Sequence, residues 1–274
     1  MAIAKINGIS LWYEITGDGE PVFQIHGCGF GHSNFAAATP ILSKQFKCVD
    51  FDLRGYGNSD RPIHHYDMEV WADDIAGLMD ALSFKKAHIH GTSMGGMVAQ
   101  QFAAKYPDKT DRLVINCAAA KLDKAGQLTF RNWIDIAERM GVGSRTLAEL
   151  IAMQALSRRF LEGESGAKAI DLVQEILDKS NHKEVFKRAC QAMIDMDLRP
   201  LLPKITAKTL VIGGSEDIMT PWEQAPSGAG QQYIADHIPG AIKYVIKGSN
   251  HSSLFDGTEE NCRIVSDFLK GRMD

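Results

Sequence analysis

Apolar residues recur along this chain in two rhythms, and the change from one to the other lays out the architecture. Residues 9–15, ISLWYEI, alternate apolar and polar as a half-buried antiparallel strand does, and Gly17-Asp18-Gly19 turns the chain behind them. Short apolar runs at 22–25, 46–51, 87–90, 113–117, 209–212 and 242–246 read as buried strands. Residues 68–82 instead place Trp71, Ile75, Leu78, Met79 and Leu82 at helical spacing, and 258–269 do the same with Ile264, Val265, Phe268 and Leu269. Strands that alternate with helices predict an α/β fold with a mostly parallel, doubly wound sheet and right-handed crossovers.

The alternation stops between residues 121 and 197. Only helical patterns occur there, at 130–140, 147–160, 167–177 and 184–196, separated by glycine-containing breaks such as Gly141-Val142-Gly143 and Gly163-Glu164-Ser165-Gly166. An all-helical block inside an α/β pattern predicts an inserted cap. The expected division is a core over 1–120, the cap over 121–197, and the rest of the core over 198–274.

Composition narrows the function classes. With 45% hydrophobic and 23% charged residues in 274 and a net charge of −4, the chain is an ordinary globular protein with no basic field for nucleic acid or an anionic membrane. No run approaches the roughly 18 apolar residues of a membrane span, and the start MAIAKINGISLWYEI lacks a secretory apolar stretch, so a cytoplasmic location is expected. The five cysteines are scattered, odd in number and without C-x-x-C spacing, which points to reduced thiols rather than a disulfide frame or a zinc site. Neither a metal nor a cofactor is expected, and the protein is expected to be a monomer or a homodimer.

The chemistry gathers at strand ends, where open parallel sheets collect their ligands. After 87–90 comes Gly91-Thr92-Ser93-Met94-Gly95, with Ser93 at a strand-to-helix turn and glycines two residues to either side. A serine hydroxyl is a weak nucleophile and needs a base; His251, after the last strand, supplies an imidazole, and Asp217, after 209–212, a carboxylate to fix its tautomer. After 22–25, the loop His26-Gly27-Cys28-Gly29-Phe30-Gly31 turns backbone N–H groups toward open space, so the N–H groups of Cys28 and Met94 are the expected oxyanion hole. Cys28 as a nucleophile in its own right is disfavoured, because His26 has no evident orienting partner; His26 is expected to satisfy backbone groups. Asp52 and Arg54 fit an ion pair that fixes a sharp loop.

The segments HGCG, DLRGYGNSD, GTSMGGMVAQ, GGSEDIMTP and GSNHSS together resemble the α/β-hydrolase superfamily over nearly the whole chain, and the order Ser, Asp, His is that of its fold. Within it, SMGGMVAQQFAAKYPDKTDRLVINCAAA and RNWIDIAERMGV are similar to the 3-oxoadipate enol-lactonase group. That resemblance implies an α/β-hydrolase fold with a helical cap, Ser93, Asp217 and His251 as a catalytic triad, and cofactor-free hydrolysis of a small-molecule ester or lactone in aromatic catabolism. Two departures stand against the lactonase pattern: Arg159 occupies the position of an expected tryptophan, and HGCGFGHSNF lacks the usual aromatics. The related carbon–carbon bond hydrolases of meta-cleavage products carry tryptophan after the catalytic histidine, where Ser252 stands here. A small-molecule receptor on the same fold is the alternative of a different class. Arg131, Arg145, Arg158 and Arg159 are candidates to meet an anionic substrate or else form a solvated helix face, and Trp133 is a candidate pocket wall.

Overall fold

The computed structural model describes residues 2–273. They form an eight-stranded sheet in the order β1-β2-β4-β3-β5-β6-β7-β8, with β1 Ala2–Ile6, β2 Ile9–Thr16, β3 Glu20–Ile25, β4 Phe46–Phe51, β5 Ala87–Thr92, β6 Thr110–Asn116, β7 Lys208–Gly214 and β8 Ile242–Ile246. From β3 to β8 all neighbours are parallel, and β2 joins β4 antiparallel. The sequence reading did not include β1. Its signal was an Asn-Gly dipeptide before ISLWYEI: Asn7 and Gly8 have φ of 45° and 76°, the left-handed pair of a tight hairpin turn.

The helices are α1 Thr39–Leu42, α2 Met68–Ala81, α3 Met94–Lys105, α4 Lys124–Met140, α5 Arg145–Ala155, α6 Arg158–Glu162, α7 Gly166–Ser180, α8 Lys183–Asp195, α9 Gln231–His237, α10 Ser253–Asp256 and α11 Thr258–Leu269. Strands with both faces covered are buried on both sides, and β5 and β7 are accordingly buried almost throughout. The sheet separates two apolar clusters. Trp71, Ile75, Met97, Phe102 and Ile234 pack on one face and Leu42, Cys262, Val265 and Phe268 on the other.

Between β6 and β7 the chain is helical, α4 to α8. Strong amphipathicity follows from its pattern: α4 buries Phe130, Trp133 and Ala137 and leaves Arg131 exposed. The stretch expected as one helix over 147–160 is two, broken at Leu156. The reason lies outside it, since the backbone there is taken by the segment around His251. Ser252 N donates to Ala155 O (2.7 Å), Asn250 Nδ2 to Leu156 O (3.0 Å), and Ser157 N to Asp256 Oδ2 (2.8 Å). No helix among the described residues is long and apolar enough to cross a membrane.

Candidate active site

Ser93 heads α3 with φ 55° and ψ −123°, a conformation that L side chains rarely adopt. The flanking glycines permit it by close approach. A Cβ on Gly91 would lie 2.1 Å from the Gly95 carbonyl oxygen, and one on Gly95 would lie 2.0 Å from the Ile25 carbonyl oxygen. Gly96 is under the same constraint, because its Cβ would meet that of Ala118 at 2.6 Å. The turn therefore wedges between β3 and β6 and lifts the serine hydroxyl off the end of β5.

His251 Nε2 lies 2.9 Å from Ser93 Oγ, and His251 Nδ1 lies 3.2 and 3.1 Å from the two oxygens of Asp217. Asp217 is buried, yet each of its oxygens is met. Oδ1 accepts from Met219 N and Thr220 N, both at 2.9 Å, while Oδ2 accepts from Thr220 Oγ1 at 3.0 Å and Gln231 Nε2 at 3.1 Å. Burial works to raise the Asp217 pKa, but the neighbouring His251 charge and the hydrogen bonds from His251 and Thr220 outweigh it and hold the carboxyl below the usual range. Thr220 Oγ1 also lies 3.2 Å from His251 Nδ1, so one hydroxyl touches both partners. The loops bearing Asp217 and His251 meet backbone to backbone at Gly214, where a Cβ would fall 2.1 Å from Ser249 O.

The glycine loop after β3 packs directly on Ser93, since a Cβ on Gly27 would lie 3.1 Å from Ser93 Cβ. Asn34 Oδ1 accepts the Gly27 amide at 2.7 Å and fixes the loop. The next amide, Cys28 N–H, has no acceptor among the hydrogen bonds of the described residues, and Met94 N–H is the first of α3, where no intrahelical acceptor exists. The Cys28 thiol packs beside Tyr56 Oη (3.6 Å) and Cys190 Sγ (4.0 Å), with no imidazole among its partners. His26 is a scaffold residue: Nε2 accepts from Leu53 N at 3.0 Å, Nδ1 faces Gly27 O at 2.8 Å, and burial pushes its pKa down to about 4.

Asp52 and Arg54 do not pair with each other. Arg54 grips Asp74 of α2 through Nε and Nη2, both at 2.6 Å, and Asp52 binds His32 Nδ1 (2.8 Å) and Asn58 N (2.9 Å). Both residues do hold the sharp loop after β4, each through a different partner.

Around Ser93 and His251 the cavity is walled by Phe30, Trp133, Ile151, Met219 and Leu254. Trp133 is thus at the site, anchored by its indole N–H to Gln154 Oε1 at 2.9 Å. Arg131 and Arg159 are not: both are exposed and neither lines this cavity, because the face of each helix that carries them points to solvent. Arg145 pairs with Glu149 and Asp171 on the same outer surface. Thr220 and Asn34 lie within the segments GGSEDIMTP and HGCGFGHSNF but carry no role there from sequence alone, and Gln231 lies outside every such segment; the roles of all three come from neighbours. Among the described residues no group of three or more His, Cys, Asp or Glu side chains is arranged to hold a metal ion.

Comparison with known proteins agrees with this architecture. The chain is similar to 3-oxoadipate enol-lactonase 2 of Acinetobacter baylyi, 28% identical over 75% of this chain and 72% of that protein. Among solved structures it is similar to an enol-lactonase from Burkholderia xenovorans LB400, at 26% identity and a TM-score of 0.87, covering 98% of this chain and 100% of that one. A thermophilic esterase from Thermogutta terrifontis matches at 27% identity and a TM-score of 0.87, covering 99% of both chains. Residues 20–258 match the family described by the α/β hydrolase fold, and the chain belongs to that family.

Proposed function

We propose that this protein is a cofactor-independent serine hydrolase that cleaves a carboxylic ester or lactone of a small molecule through an acyl-enzyme. Ser93 Oγ attacks the carbonyl carbon while its proton passes to His251 Nε2. The Cys28 and Met94 N–H groups hold the resulting oxyanion, and His251 then returns the proton to the departing alkoxide oxygen. In the second half, water attacks the acyl carbonyl, His251 takes its proton, and Ser93 leaves with that proton restored. Asp217 keeps the His251 Nδ1 proton in place and stabilises the imidazolium formed in each half. Residues 121–197 act as the cap over this site.

The observation that carries the reading is the 2.9 Å hydrogen bond from the strained Ser93 to an imidazole whose other nitrogen faces a buried, fully bonded carboxylate. The lactonase and esterase relatives support the bond class. A fluorophosphonate probe is expected to attach to Ser93 in the wild type and not in Ser93→Ala, with ester turnover lost in that variant. Labelling at another residue, or full activity in Ser93→Ala, would sink the assignment. A panel of lactones, aryl esters and diketo acids separates ester cleavage from carbon–carbon cleavage, and repeated turnover separates an enzyme from a receptor that acylates and stalls.

A further inference from the structure

A second cavity adjoins the one at Ser93 and lies between the helical insert, the segment after His251 and Phe30 of the loop after β3. The two share Phe30, Ile151, Ala155 and Ser252 in their walls. Beyond those, the second is walled by Leu156 and Phe160 at the α5–α6 break, Val173 and Ile176 of α7, and Phe255 of α10, and it reaches the surface at Leu172, which is 47% exposed. Ser252 is its only polar residue. Across both cavities no Lys, Arg, Asp or Glu contributes to the lining, and His251 and Cys28 are the only titratable side chains.

A carboxylate brought into the second cavity would leave its water and find Ser252 alone, with no cation or donor set to replace it, a cost that only a built ion pair offsets. The insert's arginines do not supply one, since Arg131, Arg139, Arg145, Arg158, Arg159 and Arg188 are all exposed and outside both linings. Apolar matter gains there instead, because each methylene leaves water for a wall of aliphatic and aromatic carbon. Each cavity offers ≈30 Å³ to the centres of water-sized groups, which suits an arm a few carbons long, at about 10–15 Å³ for one such group.

Resting on the hydrolase reading above, we infer that the substrate is an uncharged ester or lactone whose apolar arm of a few carbons extends from the carbonyl at Ser93, past Phe30 and Ile151, into the space between α5, α6 and α7. This separates the substrate from an enol-lactone bearing a free carboxylate. Specificity resides in the insert's packing, and the triad is indifferent to it.

Three sets of substrates test this on the intact protein. In p-nitrophenyl esters from acetate to hexanoate, or in a matching series of acetates with growing alcohols, kcat/KM is expected to rise by roughly 2- to 4-fold per methylene over the first few carbons. The series that rises tells whether the arm is the acyl or the alcohol part. An ester with a terminal carboxylate on an arm of equal length is expected to fall at least ~10-fold below its neutral counterpart. In Leu172→Trp and in Ile176→Trp the ratio of long-arm to short-arm kcat/KM is expected to collapse toward one. Because that ratio is taken within a single preparation, a partly misfolded variant does not alter it. Flat profiles in both series, preference for the carboxylate ester, or an unchanged ratio in both variants would overturn the inference while leaving the hydrolase intact. Absence of any ester turnover together with no Ser93 labelling would overturn both.

Discussion

Two buried histidines, one in a strand of the sheet and one in a loop at its edge, differ in almost every respect. His251 stands in the loop after β8, with Ser93, Asp217 and Thr220 all within 3.2 Å of its ring nitrogens. His90 lies inside β5, three residues before Ser93, and neither of its nitrogens has a partner among the described residues. Its neighbours are the Phe35 ring, 5.1 Å away edge to face, and Gln24, paired with it in register across β3. Burial alone pushes the His90 pKa down to about 3, so the ring is a neutral filler at any working pH. Burial with partners gives a different geometry, an imidazole held between a hydroxyl and a carboxylate. The difference comes from position. A strand interior is enclosed by its own neighbours, whereas a strand end is where loops from distant parts of the chain can bring complementary groups.

The contrast can be broken most directly by exchanging which histidine is removed. In the proposed mechanism His251→Ala costs roughly 10⁴- to 10⁶-fold in kcat, while His90→Phe is expected to keep kcat within a few-fold. Comparable losses from the two, read by steady-state kinetics on a short-chain ester, would erase the distinction. Next in size is the carboxylate. Asp217→Asn preserves the shape but offers Nδ1 the wrong partner, with an expected loss of roughly 10³- to 10⁴-fold. Thr220→Val, which keeps the carboxylate and removes one hydrogen bond to it, is expected to cost about 10-fold, and the ordering of the two losses is the check.

The smallest effect is on stability, and its sign follows from proton uptake. The folded protein holds His90 deprotonated down to about pH 3, whereas the unfolded chain protonates it below its ordinary value of about 6.5. The unfolded state therefore binds the extra proton as pH falls, and the contribution of His90 to stability declines from pH 7 toward pH 5. Asp50, raised to about 6 by burial, and His32, raised by its hydrogen bond with Asp52, act in the opposite direction, so the wild-type curve is a sum. The variant isolates one component. Denaturant unfolding at pH 7 and pH 5 is expected to show His90→Phe gaining about 2 kcal/mol on the wild type over that interval. A difference that does not change with pH would mean that His90 is partnered in solution.

The proposed catalytic frame was more legible than its surroundings. G-x-S-x-G, the loop at Cys28 and the order of Ser93, Asp217 and His251 were readable because each motif is contiguous and follows its own strand, and the fold brings all three within hydrogen-bond reach. Gln231 was not readable, although it bonds the same carboxylate, because its meaning depends on the close pass of α9 and the loop after β7; Thr220 bonds that carboxylate from three residues away, and its reach to His251 depends on the loop after β8. The break at Leu156 was hidden for a similar reason: residues 147–160 have the spacing of one helix, and the bonds that divide it come from Asn250, Ser252 and Asp256. β1 stood in plain view behind Asn7-Gly8.

By itself the sequence determined the alternation of strands and helices, the all-helical stretch within it and the residues that carry the proposed chemistry. Those features are encoded in periods of two and 3.6 residues and in local turn requirements, which neighbours along the chain are enough to express. Tertiary structure alone decided that Arg54 belongs to Asp74, that Trp133 faces the site while Arg131 and Arg159 face water, and that the cavity adjoining the one at Ser93 is apolar. A helix has a polar and an apolar face wherever it sits, but which residues meet a substrate depends on how that helix is docked, and docking is set by contacts between residues far apart in the chain.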